Sequence, residues 1–283
     1  MEVQWYPGHM TKAKRMMQEQ MKLIDLVMEL LDARIPLSSR NPDIDELGKQ
    51  KSRIILLNKA DLADSSQNDA WAEYFRRQGF FTIKINARSK EGMKALPGVI
   101  QEACKEKLAR DRKRGILNRP VRAMVVGIPN VGKSTFINSL AGRASAKTGN
   151  KPGVTRGAQW IRWNKQVELL DTPGILWPKF EDPQVGVRLA LIGSVREEIL
   201  NTQELSLELL TFLRSHAPGT LEERYGIETQ GEPYELLQEI AKKRGCLLKG
   251  QELNMEKAAG ILLEEFRNGR LGKITLEFPP TEG

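Results

Sequence analysis

Short runs of apolar residues alternate with amphipathic segments through the first half of the chain. The runs cover residues 26–31, 53–57, 80–85 and 121–126, and polar or glycine-containing sequence follows each of them. Short runs rich in leucine and β-branched residues are typical of strands buried on both faces. Segments with helical spacing, such as 11–24 and 70–78, lie between them. The pattern predicts an α/β fold with a largely parallel sheet and helices on both faces.

The pattern changes near Pro178. Two further predicted strands, 160–163 and 167–170, precede this point, and Asn164 and Lys165 between them suit a hairpin. Beyond it helical spacing dominates, at 201–215, 233–244 and 254–268, with cap, proline or glycine signals at the ends. We therefore expect one α/β domain over residues 1–177 and an all-helical domain over residues 178–283.

Composition narrows the class of protein. The longest apolar runs, 54–57 and 261–263, are far shorter than the roughly 18 residues that a membrane span needs. The N-terminus lacks a secretory signal pattern, and Cys104 and Cys246 lack the spacing of a zinc knuckle or a disulfide framework. These features predict a cytoplasmic protein that does not cross a membrane. The net charge of +8 favours a polyanionic partner.

A glycine-rich motif follows the run 121–126 and precedes a predicted helix. It is Gly127-Ile128-Pro129-Asn130-Val131-Gly132-Lys133-Ser134, which matches GxxxxGKS. Backbone N–H groups of such a loop surround phosphates at a helix N-terminus, and Lys133 neutralises the β- and γ-phosphates. The hydroxyl of Ser134 suits Mg²⁺, which prefers oxygen ligands. We assign phosphate binding to Asn130, Val131, Gly132, Lys133, Ser134 and Thr135.

The motif Asn58-Lys59-Ala60-Asp61, directly after the run 53–57, selects the base. The Asp61 carboxylate can accept hydrogen bonds from N1 and the exocyclic N2 of guanine, whereas adenine offers no matching pair of donors. Alone, this pattern could be a solvated loop. Together with the phosphate loop it predicts GTP rather than ATP. Asn86 and Ala87 complete the predicted base site, with the Ala87 amide near guanine O6.

Asp171-Thr172-Pro173-Gly174 follows the strand 167–170. In this context an aspartate associates with magnesium and the Gly174 amide senses the γ-phosphate, although a Pro-Gly pair also occurs in plain turns. Upstream, a Gly-, Thr- and Lys-rich segment contains Thr155, the expected second hydroxyl on Mg²⁺. The predicted metal ligands are Ser134, Thr155 and Asp171.

The order of these motifs is unusual. In an ordinary small GTPase the phosphate loop comes first and the base-reading motif late. Here residues 58–61 and 86–89 precede 127–134, 155 and 171–174. The sequence therefore predicts a circularly permuted P-loop GTPase domain, in which a linker near residues 105–122 joins the former termini.

These motifs, in this order and with three further segments, resemble the bacterial RbgA family, also called YlqF. The segments are Trp5-Tyr6-Pro7-Gly8-His9-Met10, Asp32-Ala33-Arg34 and Asp171-Thr172-Pro173-Gly174-Ile175-Leu176-Trp177-Pro178. The resemblance covers essentially the whole chain. It implies an assembly factor for the large (50S) ribosomal subunit, whose helical C-terminal domain contacts ribosomal RNA.

The linker agrees with an RNA partner. It carries eight basic side chains against Glu106 and Asp111: Lys105, Lys107, Arg110, Arg112, Lys113, Arg114, Arg119 and Arg122. Phosphate backbones attract such a segment through counterion release. On composition alone, the alternative is that these side chains only form a solvated helix face. Further basic clusters at 242–244 and 267–273 make this alternative weaker.

Hydrolysis of GTP requires a group that orients the attacking water, and the residue at the usual position for this group cannot do so. Ordinary small GTPases place a water-orienting glutamine directly after the glycine of DxxG, but the aliphatic Ile175 stands there. Intrinsic turnover should therefore be slow. His9 is the candidate for orienting or deprotonating water, supported by the family resemblance, and a surface histidine without chemistry is the alternative. In P-loop GTPases that resemble this chain, an asparagine at the position of Asn130 helps to hold K⁺. The alternative is that Asn130 only shapes the loop.

The predicted function is a GTP-hydrolysing 50S assembly factor that binds GTP or GDP and rRNA. We expect low intrinsic turnover, stimulation by the ribosome, and a monomer in solution. Two alternatives remain open at this point. One is a GTPase of tRNA modification or signalling, and the other is a GTP-dependent RNA-binding module in which hydrolysis is incidental.

Overall fold

A computed structural model of the chain describes residues 8–116, 119–142, 159–172, 174, 176, 180–195 and 201–280, with side chains from residue 15 onward. Within these ranges no helix combines the length and the apolar character that crossing a bilayer requires. The described residues form two compact units. The sheet unit comprises residues 8–176 and 277–280, and the helical unit comprises Phe180–Leu276.

A mostly parallel sheet forms the centre of the sheet unit. Its strands in the described part of the chain are β1 (Leu26–Asp32), β2 (Ser52–Asn58), β3 (Phe81–Lys84), β4 (Val121–Val126), β5 (Gln159–Arg162) and β6 (Val167–Asp171). They lie in the order β3-β2-β1-β4-β6-β5. Every neighbouring pair is parallel except the hairpin of β5 and β6. The predicted parallel sheet is therefore confirmed.

Helices cover both faces of the sheet, as predicted. In chain order they are α1 (Gly8–Met21), α2 (Pro42–Leu47), α3 (Ser65–Arg77), α4 (Leu96–Ala103), α5 (Lys105–Lys113) and α6 (Lys133–Ala141). On one face Met17 of α1 packs in a cluster with Val27, and Trp71 of α3 packs in a cluster with Leu31. Because side chains alternate along a strand, Met28 points to the opposite face, where it is also fully buried. Helices α4 and α6 contact β2 and β6.

The helical unit contains α7 (Pro183–Leu191), α8 (Thr202–His216), α9 (Gly219–Tyr225), α10 (Pro233–Lys243) and α11 (Met255–Arg267). Helices α8, α10 and α11 contact one another and bury Leu209, Ile240 and Leu262 completely. This arrangement agrees with an all-helical unit built on the apolar faces of amphipathic helices.

The C-terminal boundary differs from the expected domain of residues 178–283. Residues from Glu277 onward belong to the sheet unit. The Glu277 carboxylate accepts hydrogen bonds from the backbone N–H groups of Leu37 (2.5 Å) and Ser38 (2.9 Å). Its carbonyl oxygen accepts one from the indole N–H of Trp71 (3.1 Å). These polar contacts hold the segment from Glu277 onward against the sheet unit. The sequence did not predict this boundary, because the spacing of apolar residues gives no information on such contacts.

A buried carboxylate organises the helical unit. Glu265 of α11 accepts hydrogen bonds from the guanidinium groups of Arg224 (2.7 Å) and Arg244 (2.8 Å). It also accepts one from the hydroxyl of Tyr225 (2.8 Å). The hydrogen bond from Arg224 is the largest cause that lowers the pKa of Glu265 to about 2, and burial acts in the opposite direction. The carboxylate therefore stabilises the fold while it is ionised.

Glu265→Gln is expected to destabilise the helical unit by about 2 kcal/mol at pH 7, because both arginines lose the charge that satisfies them. The pKa of Glu265 is lowered from 4.5 to about 2 on folding. Its contribution is therefore fully present above pH 4.5 and is lost as the pH falls toward 2. Thermal unfolding followed by circular dichroism across this range measures the effect. The exposed neighbour Glu264 supplies the control, Glu264→Gln. Equal pH dependence in wild type and Glu265→Gln would contradict the assignment.

Candidate nucleotide-binding site

The segments predicted to bind nucleotide meet at one edge of the sheet. Strands β1, β2, β3, β4 and β6 run parallel, so the loops that follow them leave at the same carboxyl-terminal edge. The strands end at Asp32, Asn58, Lys84, Val126 and Asp171, and the loops follow directly. Ligands of open α/β sheets bind outside this edge.

The loop between β4 and α6 has the backbone of a phosphate cradle. Asn130 and Gly132 have φ values of 59° and 102°, in the left-handed region, and α6 begins at Lys133. A Cβ atom at position 132 would lie 2.4 Å from Nδ2 of Asn58, so the loop requires glycine there. Loops of this kind direct successive backbone N–H groups into one concavity at the helix N-terminus, where anions bind.

Lys133 is buried within this loop. Its ammonium group donates to the carbonyl oxygens of Gly127 and Ile128, both at 2.9 Å. Burial lowers the pKa of Lys133 to about 8, and the Asp171 carboxylate acts in the opposite direction. A buried cation is costly without an anionic partner. This environment therefore favours binding of a phosphate group.

Asn58 connects three loops of the site and is only 2% exposed. Its Nδ2 donates to the carbonyl oxygen of Val131 (2.8 Å), and its Oδ1 accepts from the N–H of Ala87 (3.0 Å). The Ala87 amide, which we expect near guanine O6, is therefore engaged by Asn58 in this structure. The hydroxyl of Ser139 in α6 donates to the carbonyl oxygen of Ala87 (2.5 Å). Asn58 therefore joins the predicted base-reading loop to the phosphate loop, a link that the motif of residues 58–61 does not reveal by itself.

Lys59 forms a second link between these loops. Its ammonium group donates to the carbonyl oxygen of Asn130 (2.8 Å) and to Oδ2 of Asp32 (2.9 Å). Asp32 is fully buried, and Arg34 donates to both of its carboxylate oxygens, at 2.9 and 2.8 Å. Burial alone would raise the pKa of Asp32, but the charges of Arg34 and Lys59 hold it well below its usual value. The ionised Asp32 therefore holds the Lys59 ammonium group in place.

Asp61 has a different environment from the rest of its motif. It is exposed, and its carboxylate accepts no hydrogen bond from the residues that the structure describes. The loop before it is nevertheless anchored, because Nδ2 of Asn68 donates to the carbonyl oxygen of Ala60 (2.9 Å). Asn86 shapes the neighbouring turn by accepting from the N–H of Arg88 (2.9 Å). An available carboxylate on an anchored loop suits recognition of a base.

Asp171, at the end of β6, and Ser134, in the first turn of α6, are the predicted metal ligands that the structure describes. Asp171 is 2% exposed, and its Oδ1 has no hydrogen-bond partner among the described residues. Burial raises the pKa of Asp171, and Lys133 acts against this. A buried, unsatisfied carboxylate oxygen fits a hard cation such as Mg²⁺. The described ranges contain no group of three or more acidic, histidine or cysteine residues that could hold a metal.

Gly174 lies against the phosphate loop. A Cβ atom at this position would lie 2.9 Å from the backbone nitrogen of Pro129 and 2.8 Å from Nζ of Lys133. Only glycine permits this approach. The main chain at residue 174 is therefore close enough to respond to what Lys133 binds.

Three residues of the sequence-based mechanism are not covered by these observations. His9 belongs to α1, but its side chain lies outside the described residues, as do Thr155 and Ile175. The catalytic role of His9 and the metal role of Thr155 stay predictions.

Comparisons of the sequence and the structure with known proteins identify similar proteins. A family model described as a 50S ribosome-binding GTPase matches residues 122–239. Ribosome biogenesis GTPase A of Bacillus cereus is 49% identical over 284 residues, which cover 100% of this chain and 96% of that protein. The Thermotoga maritima protein of the same name is 34% identical over 278 residues, with coverage of 97% and 94%.

The crystal structure of GNP-bound YlqF from T. maritima is also similar. It has a TM-score of 0.65 at 29% identity and covers 96% of this chain and 100% of that one. The fold and the permuted motif order thus agree with relatives that match nearly end to end. The chain belongs to the family of ribosome biogenesis GTPase A, also called RbgA or YlqF.

Proposed function

We propose that this protein binds and hydrolyses GTP and that its GTPase cycle serves assembly of the large (50S) ribosomal subunit. The observation that carries the proposal is the joined site, in which Asn58 and Lys59 tie a guanine-reading loop to a phosphate loop. The names of the relatives and the description of the family model support the ribosomal target. We further propose that the protein acts in the cytoplasm as a monomer.

Hydrolysis in this proposal uses groups of this chain around a bound nucleotide. Lys133 and the N-terminus of α6 would neutralise the phosphates. Asp171 and Ser134 would hold Mg²⁺, with Thr155 as a further ligand. When bound, Mg²⁺ supplies positive charge against the phosphate oxygens. Asn130 is proposed to help hold K⁺. Equal hydrolysis rates in sodium and potassium buffers would count against K⁺.

His9 is the proposed residue that orients or deprotonates the attacking water. In His9→Ala we expect the affinity for GTP to stay within about twofold of wild type, because the residue makes no predicted ground-state contact with the nucleotide. Turnover stimulated by 50S subunits should be lost. Phosphate release by wild type and variant, each with and without 50S subunits, measures this. Unchanged stimulated turnover would refute the role.

The basic linker supports an RNA partner. Four of its eight basic side chains pair with carboxylates: Lys105, Lys107, Arg119 and Arg122. The other four, Arg110, Arg112, Lys113 and Arg114, are exposed and form no ion pair with described residues, and we call them the α5 basic cluster. Lys107 anchors α5 to Asp25 (3.3 Å), which directly precedes β1. This anchor lies at the amino-terminal edge of the sheet, opposite the nucleotide loops, so nucleotide and RNA would bind without competing.

Pelleting with purified 50S subunits tests both the target and the cluster. Wild type should pellet with 50S and not 30S subunits, and more strongly with a non-hydrolysable GTP analogue than with GDP. Arg110→Ala/Arg112→Ala/Lys113→Ala should bind more weakly and lower the salt dependence, by about 2 in the slope of log K against log salt. A matched control replaces the exposed Lys22, Lys49 and Lys94 with alanine. Equal losses in both triple variants would contradict a specific role, and equal binding to both subunits would favour another RNA target.

A further inference from the structure

Glu277, which follows the helical unit in the chain, is linked to the predicted nucleotide site through buried polar contacts. It is 5% exposed. Besides the two backbone N–H groups at positions 37 and 38, its carboxylate accepts a hydrogen bond from the hydroxyl of Ser38, at 2.7 Å. A single side chain thus satisfies three donors of the loop that follows β1, and Ser38 is itself only 3% exposed.

This loop in turn holds Asp32. The hydroxyl of Ser39, which is fully buried, accepts from the N–H of Asp32 (3.1 Å) and donates to the carbonyl oxygen of Pro36 (3.2 Å). Asp32 then holds the ammonium group of Lys59 (2.9 Å). The contacts are continuous from Glu277 to the guanine-reading loop.

A second route runs through α3. The indole N–H of Trp71 donates to the carbonyl oxygen of Glu277 (3.1 Å). Asn68, three residues earlier and therefore on the same side of the helix, donates to the carbonyl oxygen of Ala60 (2.9 Å). Ala60 stands between Lys59 and Asp61. Both routes end on the segment that we propose reads guanine.

We propose that Glu277 is a positioning residue of the guanine site, which acts through loop 36–39 and Asp32 on Lys59 and through Trp71 on Ala60. The inference rests on the proposed binding of guanine nucleotides. Glu277 is far along the chain from every nucleotide motif, and its contacts to Leu37, Ser38 and Trp71 are with residues that in turn hold the predicted base-reading loop. Its effect would therefore appear as altered recognition of the base.

Base recognition can be separated from general weakening with GDP and IDP. Inosine lacks the exocyclic N2 of guanine, so a displaced Asp61 costs GDP a hydrogen bond that IDP never makes. We expect Glu277→Ala to weaken GDP binding roughly tenfold, which corresponds to the loss of one ordinary hydrogen bond at the base. The ratio of GDP to IDP affinity should fall as well. Glu277→Gln keeps one carbonyl oxygen that can accept from the N–H groups of loop 36–39. It should therefore retain part of the GDP affinity and part of the preference for GDP over IDP.

The measurement is equilibrium binding of fluorescent GDP and IDP to full-length protein at a temperature where circular dichroism shows each variant folded. Glu46→Ala, at an exposed position of α2, is the control and should equal wild type. In a Lys59→Ala background, Glu277→Ala should have a smaller effect on GDP binding, because its main target is already absent. If Glu277→Ala does not fold, Glu277→Gln carries the same comparison.

Unchanged affinity and an unchanged GDP-to-IDP ratio in a folded Glu277 variant would overturn the inference, as would full additivity with Lys59→Ala. These results would leave the proposed function intact. Failure of wild type to bind GDP would overturn the proposed function and this inference with it.

Discussion

Asp61→Asn is expected to change the preferred base from guanine to xanthine. The Asp61 carboxylate can accept hydrogen bonds from N1–H and N2–H of guanine. No described residue donates a hydrogen bond to it. The asparagine side chain keeps one oxygen that can accept from N1–H. Its NH₂ group, however, faces the N2 amino group of guanine, and two hydrogen-bond donors cannot pair with each other. Xanthine has a carbonyl oxygen in place of N2 and satisfies that amide donor. We expect GDP affinity to fall at least about a hundredfold and XDP affinity to rise by a similar factor, because mismatched polar groups of this kind discriminate strongly.

Competition between fluorescent GDP and unlabelled GDP or XDP measures this exchange. Asp61→Ala provides the control, since it should lose GDP affinity without gaining XDP affinity. The fold should be unaffected, because the side chain is exposed. GDP binding that survives both substitutions would show that another group reads the base.

Lys133→Ala should abolish nucleotide binding without harming the fold. Among the described residues, the buried ammonium group donates hydrogen bonds to two neutral carbonyl oxygens, and burial lowers its pKa to about 8 although the Asp171 carboxylate acts against this. Its charge is therefore costly until phosphate arrives. Removing it should weaken GTP binding by at least about 3 kcal/mol, or a hundredfold. The melting temperature without nucleotide should stay equal or rise.

Isothermal titration with GTP and thermal unfolding without nucleotide test the two halves of this prediction. Lys94→Ala, at an exposed position of the same unit, is the matched control. Lost binding together with a large fall in melting temperature would indicate a structural lysine, and retained binding would contradict the assigned phosphate site.

The strands and the motif positions followed from the sequence because they depend on local signals. Apolar runs such as 53–57 become buried parallel strands, and the polar residues directly after them lie at the carboxyl-terminal edge of the sheet. Short helices were harder to predict. Helix α2 has only Ile44 as a buried residue, so it lacks apolar periodicity, although Asn41 and Pro42 are a recognisable start signal. Helix α4 ends at Ala103 and α5 begins at Lys105, and no proline or glycine in the sequence marks the break at Cys104.

The links within the site could not be predicted from spacing. Asp32 contacts Lys59, and Glu277 contacts Ser38 across most of the chain length. Such contacts depend on how the sheet brings distant loops together, and a lone acidic residue is more often solvated. The signal available for Asp32 was its position at the end of an apolar run. For Glu277 no sequence signal existed.

Phosphate release from GTP, measured with and without purified 50S subunits and with 30S subunits as the control, tests the central claim most directly. We expect slow release by the protein alone, because the aliphatic Ile175 stands where other GTPases orient water. Release should be at least about tenfold faster with 50S subunits, a reduction of the activation barrier by about 1.4 kcal/mol or more, and unchanged with 30S subunits. An identical rate under all three conditions would contradict the claim.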